Sequence, residues 1–498
     1  MTYEADVLAA YPADLEIPAG LVAGALAASN AAVPRVLVVL DDDPTGTQSV
    51  ADLPVLTRWE VEDFTWAFGQ GKPAVYVLTN TRSLDPAEAA ARNEEVVRNA
   101  LAAAGQQDSA GSSLRLGFVS RSDSTLRGHF PLEPDVIAAT VAKVSGEKTD
   151  GVVLVPAFPD AGRLTIGGVH YMRGTGDAKG TLVPVSETEF AKDASFGFST
   201  SVMADYVAEK SQGRFPADSV IVLDLNTIRA GASAQDPAIS AKAIADAIEP
   251  ATDSTPIVAD IVTENDFRAL ALGLEEAERR GKKLLYRVGP PFVRGRIGQD
   301  IRAALTSEEA YAGNTPSEAG GLIVVGSHVG VTTRQLNVLT AEHSSARIIE
   351  IDVEKLLGAE TDAKAHLDQT VEAVVEALHG GDVIVHTSRL LIKTDDPAES
   401  LRIARTVSAA VVDVVNRTLK TFPPRFVIAK GGITSSDVAA HGLEIRHAIV
   451  RGPMLPGIVS LWEPVDGPAK GIPYIVFAGN VGDDDSLAQV TRKLSSTF

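Results

Sequence analysis

The chain has 498 residues, a length that predicts two domains, or three. Of these residues 45% are hydrophobic and 22% are charged, a composition typical of soluble globular proteins. The formal net charge is −20, from 45 basic and 65 acidic residues, which argues against nucleic acid and anionic membranes as partners because both need clustered lysines and arginines. The chain contains no cysteine, which excludes disulfides, thiol nucleophiles and cysteine-ligated metal centres.

The N-terminal residues lack a basic segment followed by an apolar core, so no secretory signal is predicted. The sequence also has no run of about 20 apolar residues that could span a bilayer. A cytoplasmic location is therefore expected. Residues 1–34 are rich in alanine and proline and predict an irregular or helical lead-in.

From residue 35 onward, short β-branched runs alternate with helical stretches rich in Ala, Glu and Arg. Apolar strands separated by helices are typical of βαβ units and a mainly parallel sheet. The first domain is predicted over residues 35–305. Its predicted strands are 35–40, 74–79, 115–120, 151–156, 219–224, 256–261 and 283–288, and its predicted helices include 86–104, 131–144, 236–249 and 264–281.

A polar segment rich in Gly, Ser and Pro, residues 306–321, predicts a linker. The alternation resumes in a second predicted domain, residues 322–498. The fold class is therefore α/β: two α/β domains with mainly parallel sheets and an active-site cleft between them. The predicted strands are 322–327, 346–351, 382–387, 425–430, 456–461 and 473–477, and the helices are 331–342, 363–379, 398–418 and 484–494.

Three carboxylates, Asp41, Asp42 and Asp43, end the first apolar strand, and Pro44 and Gly46 then turn the chain. In open α/β sheets, ligands bind beyond the carboxyl ends of the strands. Adjacent aspartates also repel one another unless cations or hydrogen-bond donors lie among them. This turn is therefore predicted to be part of a binding site.

Two further strands of the first domain end in polar residues, at 79–83 and at 120–129. The guanidinium groups of Arg82 and Arg127 suit a carboxylate, while hydroxyls and aspartate suit a polyol. Each turn alone could be an ordinary helix cap, but three such strand ends together predict one shared pocket. His170 is interpreted as a hydrogen-bonded structural residue, and no HExxH motif occurs among the nine histidines.

In the second domain, a glycine pair, Gly431-Gly432, follows a strand and precedes the hydroxyls of a predicted helix. Glycines allow close backbone approach to phosphates. Turns at Gly326-Ser327 and at Gly479 support a nucleotide pocket, with an ordinary pair of helix caps as the alternative. Neither GxxxxGK[ST] nor GxGxxG occurs.

Two other functions fit parts of the sequence. Asp41-x-Asp43-x-Thr45 after an apolar strand resembles the first motif of haloacid-dehalogenase-like phosphatases, with Lys430 and residues 483–485 as later motifs. The 440 residues that separate Asp43 from Asp483 (483 − 43) and the linker between them argue against one compact phosphatase domain. The second alternative is a non-catalytic regulator that binds a sugar acid.

Six motifs occur in the order expected for one enzyme family, at residues 41–48, 122–128, 156–163, 326–333, 430–435 and 478–482. They resemble the motifs of the four-carbon acid sugar kinases. The resemblance implies a sugar-acid-binding N-terminal domain, a nucleotide-binding C-terminal domain, and ATP-dependent phosphorylation of threonate, erythronate or a 3-oxo-tetronate. Ile433 departs from the family pattern, in which an acidic residue is common at this position.

With this resemblance, the hypothesis is phosphoryl transfer from ATP, with Mg²⁺ arriving on its phosphates, to the terminal hydroxyl of a sugar acid. Asp43 or Asp123 is the candidate base, and the sequence does not decide between them. No metal ligand is assigned, the partners are small molecules, and whether the chain forms a homo-oligomer stays open. The candidate substrate-binding residues are Asp42, Thr45, Gly46, Arg82, Ser122, Ser124 and Arg127, and the candidate nucleotide-binding residues are Ser327, Gly431, Gly432, Ile433, Thr434 and Gly479.

Overall fold

The computed structural model describes residues 2–31, 33–109, 113–388 and 397–498. The chain forms two compact units: Met1–Asp42 with Trp59–Ile301, and Asp43–Arg58 with Arg302–Phe498. Within the described ranges, no helix combines the length and the apolar character needed to cross a membrane.

The first unit is built on a parallel sheet, because its strands are apolar along their whole length and can be covered on both faces. Every neighbouring pair in this sheet runs parallel. From one edge to the other, the strands are Ile221–Leu223, Thr255–Ala259, Gly151–Val155, Leu284–Val288, Arg115–Arg121, Arg35–Asp41 and Ala74–Leu78.

Helices connect these strands, and a small antiparallel sheet is inserted after Gly151–Val155. The small sheet has the strand order Thr2–Tyr3, Thr181–Pro184, Val169–Arg173 and Arg163–Ile166. The α-helices of the unit are Glu4–Leu8, Ala19–Ser29, Val61–Gly69, Pro86–Ser109, Leu132–Ser145, Met203–Lys210, Leu225–Ile228, Pro237–Ile248, Glu264–Arg279 and Phe292–Arg296.

The second unit has a mixed sheet. The five strands from Tyr474–Phe477 to the edge strand Arg347–Ile351 pair parallel with one another. The remaining neighbouring pairs are antiparallel. The strand order is Leu53–Leu56, His447–Leu455, Val459–Pro464, Tyr474–Phe477, Val427–Lys430, Leu322–Val325, Val383–Thr387 and Arg347–Ile351. The α-helices are Ser307–Ala310, Gly330–Glu342, Val353–Leu356, Glu360–Leu378, Pro397–Thr421, Gly432–Asp437 and Ser486–Leu494.

The predicted fold class, two α/β units with mainly parallel sheets, is confirmed. The predicted parallel strands occur with shifts of a few residues at their ends. The sequence did not predict the small antiparallel sheet, nor the strands Leu53–Leu56 and His447–Leu455.

The structure divides the chain at Asp42 and Asp43, whereas the sequence placed both in one domain. The segment Asp43–Arg58 groups with the second unit because its strand Leu53–Leu56 pairs antiparallel with His447–Val450. Residues 306–321, predicted as the linker, also lie in the second unit, where Ser307–Ala310 forms a short helix.

Candidate active site

The strand Arg35–Asp41 is buried throughout and ends in a buried ion pair. Asp41 pairs in register with Arg121, the last residue of the neighbouring strand Arg115–Arg121. The Arg121 guanidinium donates from Nε to the Asp41 carboxylate, and both residues are 1% exposed. Asp41 is therefore held by the sheet and is shielded from solvent.

Asp42 is paired with Arg82. The guanidinium donates from Nη2 to Asp42 Oδ1 at 2.6 Å and from Nε to Oδ2 at 3.2 Å. Arg82 lies in the short 3-10 helix Thr81–Ser83, which follows the strand Ala74–Leu78. Burial raises the pKa of the Asp42 carboxyl, against the opposing charges of Arg82 and Arg121. Two of the predicted substrate residues thus lie together.

Asp123 forms a second carboxylate–arginine pair. Arg127 donates from Nε to Asp123 Oδ2 at 2.6 Å, and the Thr125 hydroxyl donates to the same oxygen. Burial disfavours ionisation of Asp123, but the charges of Arg82 and Arg127 and the hydrogen bonds from Thr125 and Arg127 outweigh it, so its pKa is lowered. Asp123 is therefore a carboxylate over the physiological pH range.

The predicted hydroxyl residues Ser122 and Ser124 are buried in the same loop. The loop is supported by His170: Nε2 donates to the Ser124 carbonyl at 2.8 Å, so Nδ1 accepts from the Thr165 hydroxyl at 3.0 Å. Burial lowers the pKa of His170 to about 4, and the imidazole is therefore neutral. His170 has the structural position that the sequence predicted.

Glu133 and Arg287 form a further buried pair that sequence reasoning missed. Arg287 donates from Nη1 to Glu133 and, at 2.7 Å, to the Ser120 hydroxyl. Gly128 lies against this pair with φ +122°, and a Cβ there would be 2.8 Å from Arg287 Nη2 and 3.1 Å from Asp42 Oδ2. A side chain at this position would displace Arg287 and strain the backbone, and glycine avoids both costs.

A pocket with about 300 Å³ of empty space, part of it open solvent, lies beside this loop. The wall of this pocket combines an apolar side with polar groups, as ligand pockets usually do. Ser122, Asp123 and Arg287 are its polar lining residues. The other lining residues are Leu126, Phe130, Leu154, Pro156, Met203, Tyr206 and Val288.

Asp43, Thr45 and Gly46, predicted beside the sugar acid, lie in the second unit. Asp43 caps the 3-10 helix Pro44–Ser49, because its side chain accepts from the Thr45 backbone N–H at 2.7 Å. A Cβ on Gly432 would be 3.4 Å from Asp43 Oδ2. The Asp43 carboxylate therefore lies beside the predicted nucleotide-binding glycine pair.

The glycine turns of the second unit approach one another closely around Ser327 and Thr434. A Cβ on Gly479 would be 2.6 Å from Ser327 Oγ, and one on Gly326 would be 2.2 Å from Thr434 Oγ1. At Gly431, whose φ is +132°, a Cβ would be 3.0 Å from Thr434 Oγ1. We call this group of residues the glycine cradle: Gly326, Ser327, Gly431, Gly432, Thr434 and Gly479. The side chain of Ile433, beside it, is 57% exposed.

Lys430, the last residue of the strand Val427–Lys430, directly precedes the glycine pair. Its side chain is fully buried, and the ammonium donates to the Ala478 carbonyl at 2.6 Å while lying 3.8 Å from the centre of the Phe477 ring. Burial lowers the pKa of Lys430 to about 7. The sequence had assigned Lys430 only to the phosphatase alternative.

The phosphatase motif does not have the geometry of a nucleophilic site. Its first aspartate, Asp41, is buried against Arg121, whereas a nucleophile must be accessible to substrate. In the later acidic motif, residues 483–485, Asp483 accepts a hydrogen bond from the Ser486 hydroxyl at 2.7 Å, at the start of the helix Ser486–Leu494. Within the described ranges, no group of three or more His, Asp or Glu side chains could hold a metal ion.

Two family models match the chain. The model of a sugar-binding N-terminal domain matches residues 37–296, and that of a nucleotide-binding C-terminal domain matches residues 322–487. Together they span both units.

Two named relatives have sequences similar to this chain. A D-erythronate kinase of Heliobacterium modesticaldum is 25% identical over 476 residues, which are 90% of this chain and 95% of that protein. A D-threonate kinase of Cupriavidus necator is 26% identical over 393 residues, which are 76% of this chain and 80% of the relative. The crystal structure of a Salmonella typhimurium LT2 protein covers 92% of this chain and 99% of its own, with a TM-score of 0.64 and 17% identity, a likeness that shows the fold alone.

Proposed function

The chain belongs to the family of four-carbon acid sugar kinases, and we propose that it transfers the γ-phosphoryl group of ATP to the terminal hydroxyl of a four-carbon sugar acid such as erythronate, threonate or a 3-oxo-tetronate. The observation that supports this most directly is the pairing of two different sites in one chain. The first unit has a small pocket with carboxylate, hydroxyl and guanidinium groups, and the second has a glycine cradle. ATP as the donor also fits the cytoplasmic location expected from the sequence.

In the first unit, the sugar acid is proposed to bind in the pocket beside Asp123. The carboxylate of Asp123 and the hydroxyl of Ser122 line this pocket and are suitable partners for substrate hydroxyls. Arg82 holds Asp42, and Arg127 holds Asp123, so these arginines fix the carboxylates in place. Direct contact of Arg82 or Arg127 with the substrate carboxylate stays a prediction.

In the second unit, the cradle of Gly431, Gly432 and Gly479 is proposed to hold the phosphates of ATP. The fit rests on close approach: side chains at Gly431 and Gly479 would occupy the space next to Ser327 and Thr434, while glycine leaves backbone groups accessible to phosphate oxygens. Ser327 and Thr434 would add hydroxyl donors. Ile433, which is exposed beside the cradle, is proposed to contact the nucleotide.

Mg²⁺ is proposed to bind with the nucleotide. It usually binds proteins through one or two carboxylates together with phosphate oxygens and water, and Asp43 beside Gly432 supplies a carboxylate of this kind. When bound, Mg²⁺ neutralises charge on the transferred phosphoryl group. Thr45 and Gly46, in the turn that Asp43 caps, would then act by fixing the position of Asp43.

Phosphoryl transfer passes through a loose transition state in which positioning and charge stabilisation dominate, and a base receives the proton of the attacking hydroxyl. Asp123 remains ionised, since its pKa is lowered, and it can accept the proton of a substrate hydroxyl at neutral pH. Asp43, next to the cradle, is the second candidate for this role.

The direct test is an assay of ATP-dependent phosphorylation over a panel of tetronates and 3-oxo-tetronates, with ATP hydrolysis in the absence of sugar acid as the background. Phosphorylated product that requires both ATP and one of these acids supports the proposal. Phosphate release from sugar phosphates without ATP would instead support the phosphatase alternative. Tetronate binding in calorimetry without any ATP binding would support a regulator.

A further inference from the structure

Arg163 begins the strand Arg163–Ile166, directly after the Pro- and Gly-containing turn that follows Gly151–Val155. Its Nε is buried and has no hydrogen-bond partner, and among the described residues no carboxylate lies within ion-pair distance of its guanidinium. Burial lowers the pKa of Arg163; the charge of Asp123 opposes this shift and that of Arg127 adds to it. Arg163 is therefore a partly buried cation without an ion-pair partner among the described residues, and the pocket residue Asp123 is near enough for its charge to act on the guanidinium.

The other arginines of this region are already paired. The carboxylate of Asp193 lies 3.9 Å from Arg127, measured from Oδ2 to Nη1. Asp193 is partly exposed and does not come within ion-pair distance of Arg163. The pairs are Arg121 with Asp41, Arg82 with Asp42, Arg127 with Asp123, and Arg287 with Glu133.

The backbone of Arg163 is held firmly. Phe158 donates its N–H to the Arg163 carbonyl at 2.8 Å, and Arg163 donates its N–H to the Phe158 carbonyl at 2.9 Å. Gly162, with φ +75°, makes the turn between them, and Phe158 is buried. A side chain on a fixed backbone loses less conformational freedom when it binds a ligand.

We infer that Arg163 binds the carboxylate group of the sugar acid. This inference rests on the proposed function, since it assigns one group of the proposed substrate to one residue. A guanidinium that is partly buried without a counterion is costly, and a planar carboxylate provides two acceptor oxygens in the geometry that a guanidinium fits. The substrate hydroxyls then face Asp123 and Ser122.

The assignment makes Arg163 the residue that distinguishes an acid from a neutral polyol of the same length. A four-carbon alditol carries the same type of hydroxyl groups but no carboxylate. The preference of the enzyme for a tetronate over the alditol is therefore the quantity that Arg163 sets. A residue with only a structural role would change the turnover of both compounds in parallel.

The experiment compares the wild-type protein with Arg163→Met, using the tetronate that the wild type phosphorylates and the corresponding alditol, with ATP in excess. For Arg163→Met we expect KM for the tetronate to rise about 10- to 100-fold, KM for ATP to stay constant, and the acid-over-alditol ratio of kcat/KM to fall by a similar factor. Arg214→Met is the matched control, because Arg214 is exposed and pairs with Asp135; all three quantities should stay at wild-type values.

An unchanged acid-over-alditol ratio in folded Arg163→Met would overturn the assignment. If Arg163→Met does not fold, Arg163→Lys provides the answer, because lysine keeps the charge but cannot make a two-pronged contact. A several-fold rise in tetronate KM would then support the assignment, and an unchanged KM would refute it. These outcomes all require an active wild type, so failure of the proposed function is recognised separately, as a wild type that phosphorylates no tetronate.

Discussion

Asp42 accepts two hydrogen bonds from the Arg82 guanidinium, at 2.6 and 3.2 Å, and the aspartate is 1% exposed. Two parallel bonds fix both the distance and the plane of the carboxylate. Arg82 thus determines the orientation of Asp42, although the two residues are 40 positions apart in the sequence.

The first prediction concerns this pair. Asp42→Asn removes the negative charge and leaves Arg82 with a neutral partner, so we expect a loss of about 3 kcal/mol in the free energy of unfolding. Chemical denaturation measures it. The exposed pair Arg98–Glu94 provides the control: Glu94→Gln should have little effect, because exposed ion pairs contribute little. Equal losses in the two variants would contradict a structural role for the Asp42–Arg82 pair.

The second prediction concerns Asp123. Asp123→Asn should lower kcat by about 10²- to 10⁴-fold, the range typical of general base catalysis, with little change in KM for ATP. Retention of near-normal kcat would remove Asp123 as the base and leave Asp43.

The lowered pKa of Asp123 also predicts a pH profile. A folded-state pKa below the usual aspartate value means that the carboxylate stays ionised as the pH falls to 5. The wild-type kcat/KM should therefore not fall between pH 7 and pH 5 because of protonation of Asp123. Any fall in that range should also occur in Asp123→Asn. A fall that Asp123→Asn removes would mean that Asp123 takes up a proton in that range.

The third prediction concerns Gly128. Gly128→Ala places a methyl group 2.8 Å from Arg287 Nη2 and 3.1 Å from Asp42 Oδ2, at a φ of +122° that alanine rarely adopts. Because Arg287 lines the pocket, we expect KM for the sugar acid to rise and stability to fall. Gly146→Ala is the control, since Gly146 also has positive φ, +77°, but has open space around it. It should lose stability without any change in KM.

The sequence predicted the parallel strands and the polar turns at their ends, because continuous apolar runs and the residues that follow them are local signals. It did not predict that the chain changes units between Asp42 and Asp43. That change depends on pairing between Leu53–Leu56 and His447–Val450, and antiparallel pairing over nearly 400 residues has no local signal.

The arginines show the same limit. The sequence predicts Arg82 and Arg127 as ligands of the substrate carboxylate, because their guanidinium groups lie in polar turns after strands. The structure gives each of them an aspartate of the chain within hydrogen-bond distance. Arg163 lies in the motif 156–163, to which the sequence assigns no role, and among the described residues its buried Nε has no hydrogen-bond partner. Charge pairing depends on which side chains meet in the fold, and this has no local signal in the sequence. The sequence can show only that a charged residue lies near the end of a buried strand.

The fourth prediction concerns the glycine cradle. Gly431→Ala adds a Cβ 3.0 Å from Thr434 Oγ1 and 3.2 Å from Ser327 Cβ, at a φ of +132°. We expect KM for ATP to rise about tenfold or more, because the cradle must deform, while calorimetric binding of the sugar acid to the full-length protein is unchanged. Gly471→Ala, at φ +77° with nothing near the added Cβ, should leave both constants unaltered. Equal weakening of ATP and sugar-acid binding in Gly431→Ala would argue against separate sites.

The last prediction concerns Lys430, whose pKa is lowered by burial to about 7 from the usual 10.5. Between these two values the unfolded chain binds more protons than the folded chain, so this lysine makes the free energy of unfolding rise with pH, by at most ~1.4 kcal/mol per pH unit. Lys430→Met removes the proton-binding group. The stability of the wild type minus that of Lys430→Met should therefore increase from pH 7 to pH 10, as measured by urea denaturation at several pH values.

Lys242→Met is the matched control for this measurement, because the Lys242 side chain is 71% exposed and is in water in both the folded and the unfolded states. Its stability difference from the wild type should not vary with pH over the same range. The Ala478 carbonyl and the Phe477 ring, however, both favour a charged ammonium. A flat difference for Lys430→Met would mean that these contacts keep Lys430 protonated, and that the cradle is supported by a buried ammonium ion rather than by a neutral amine.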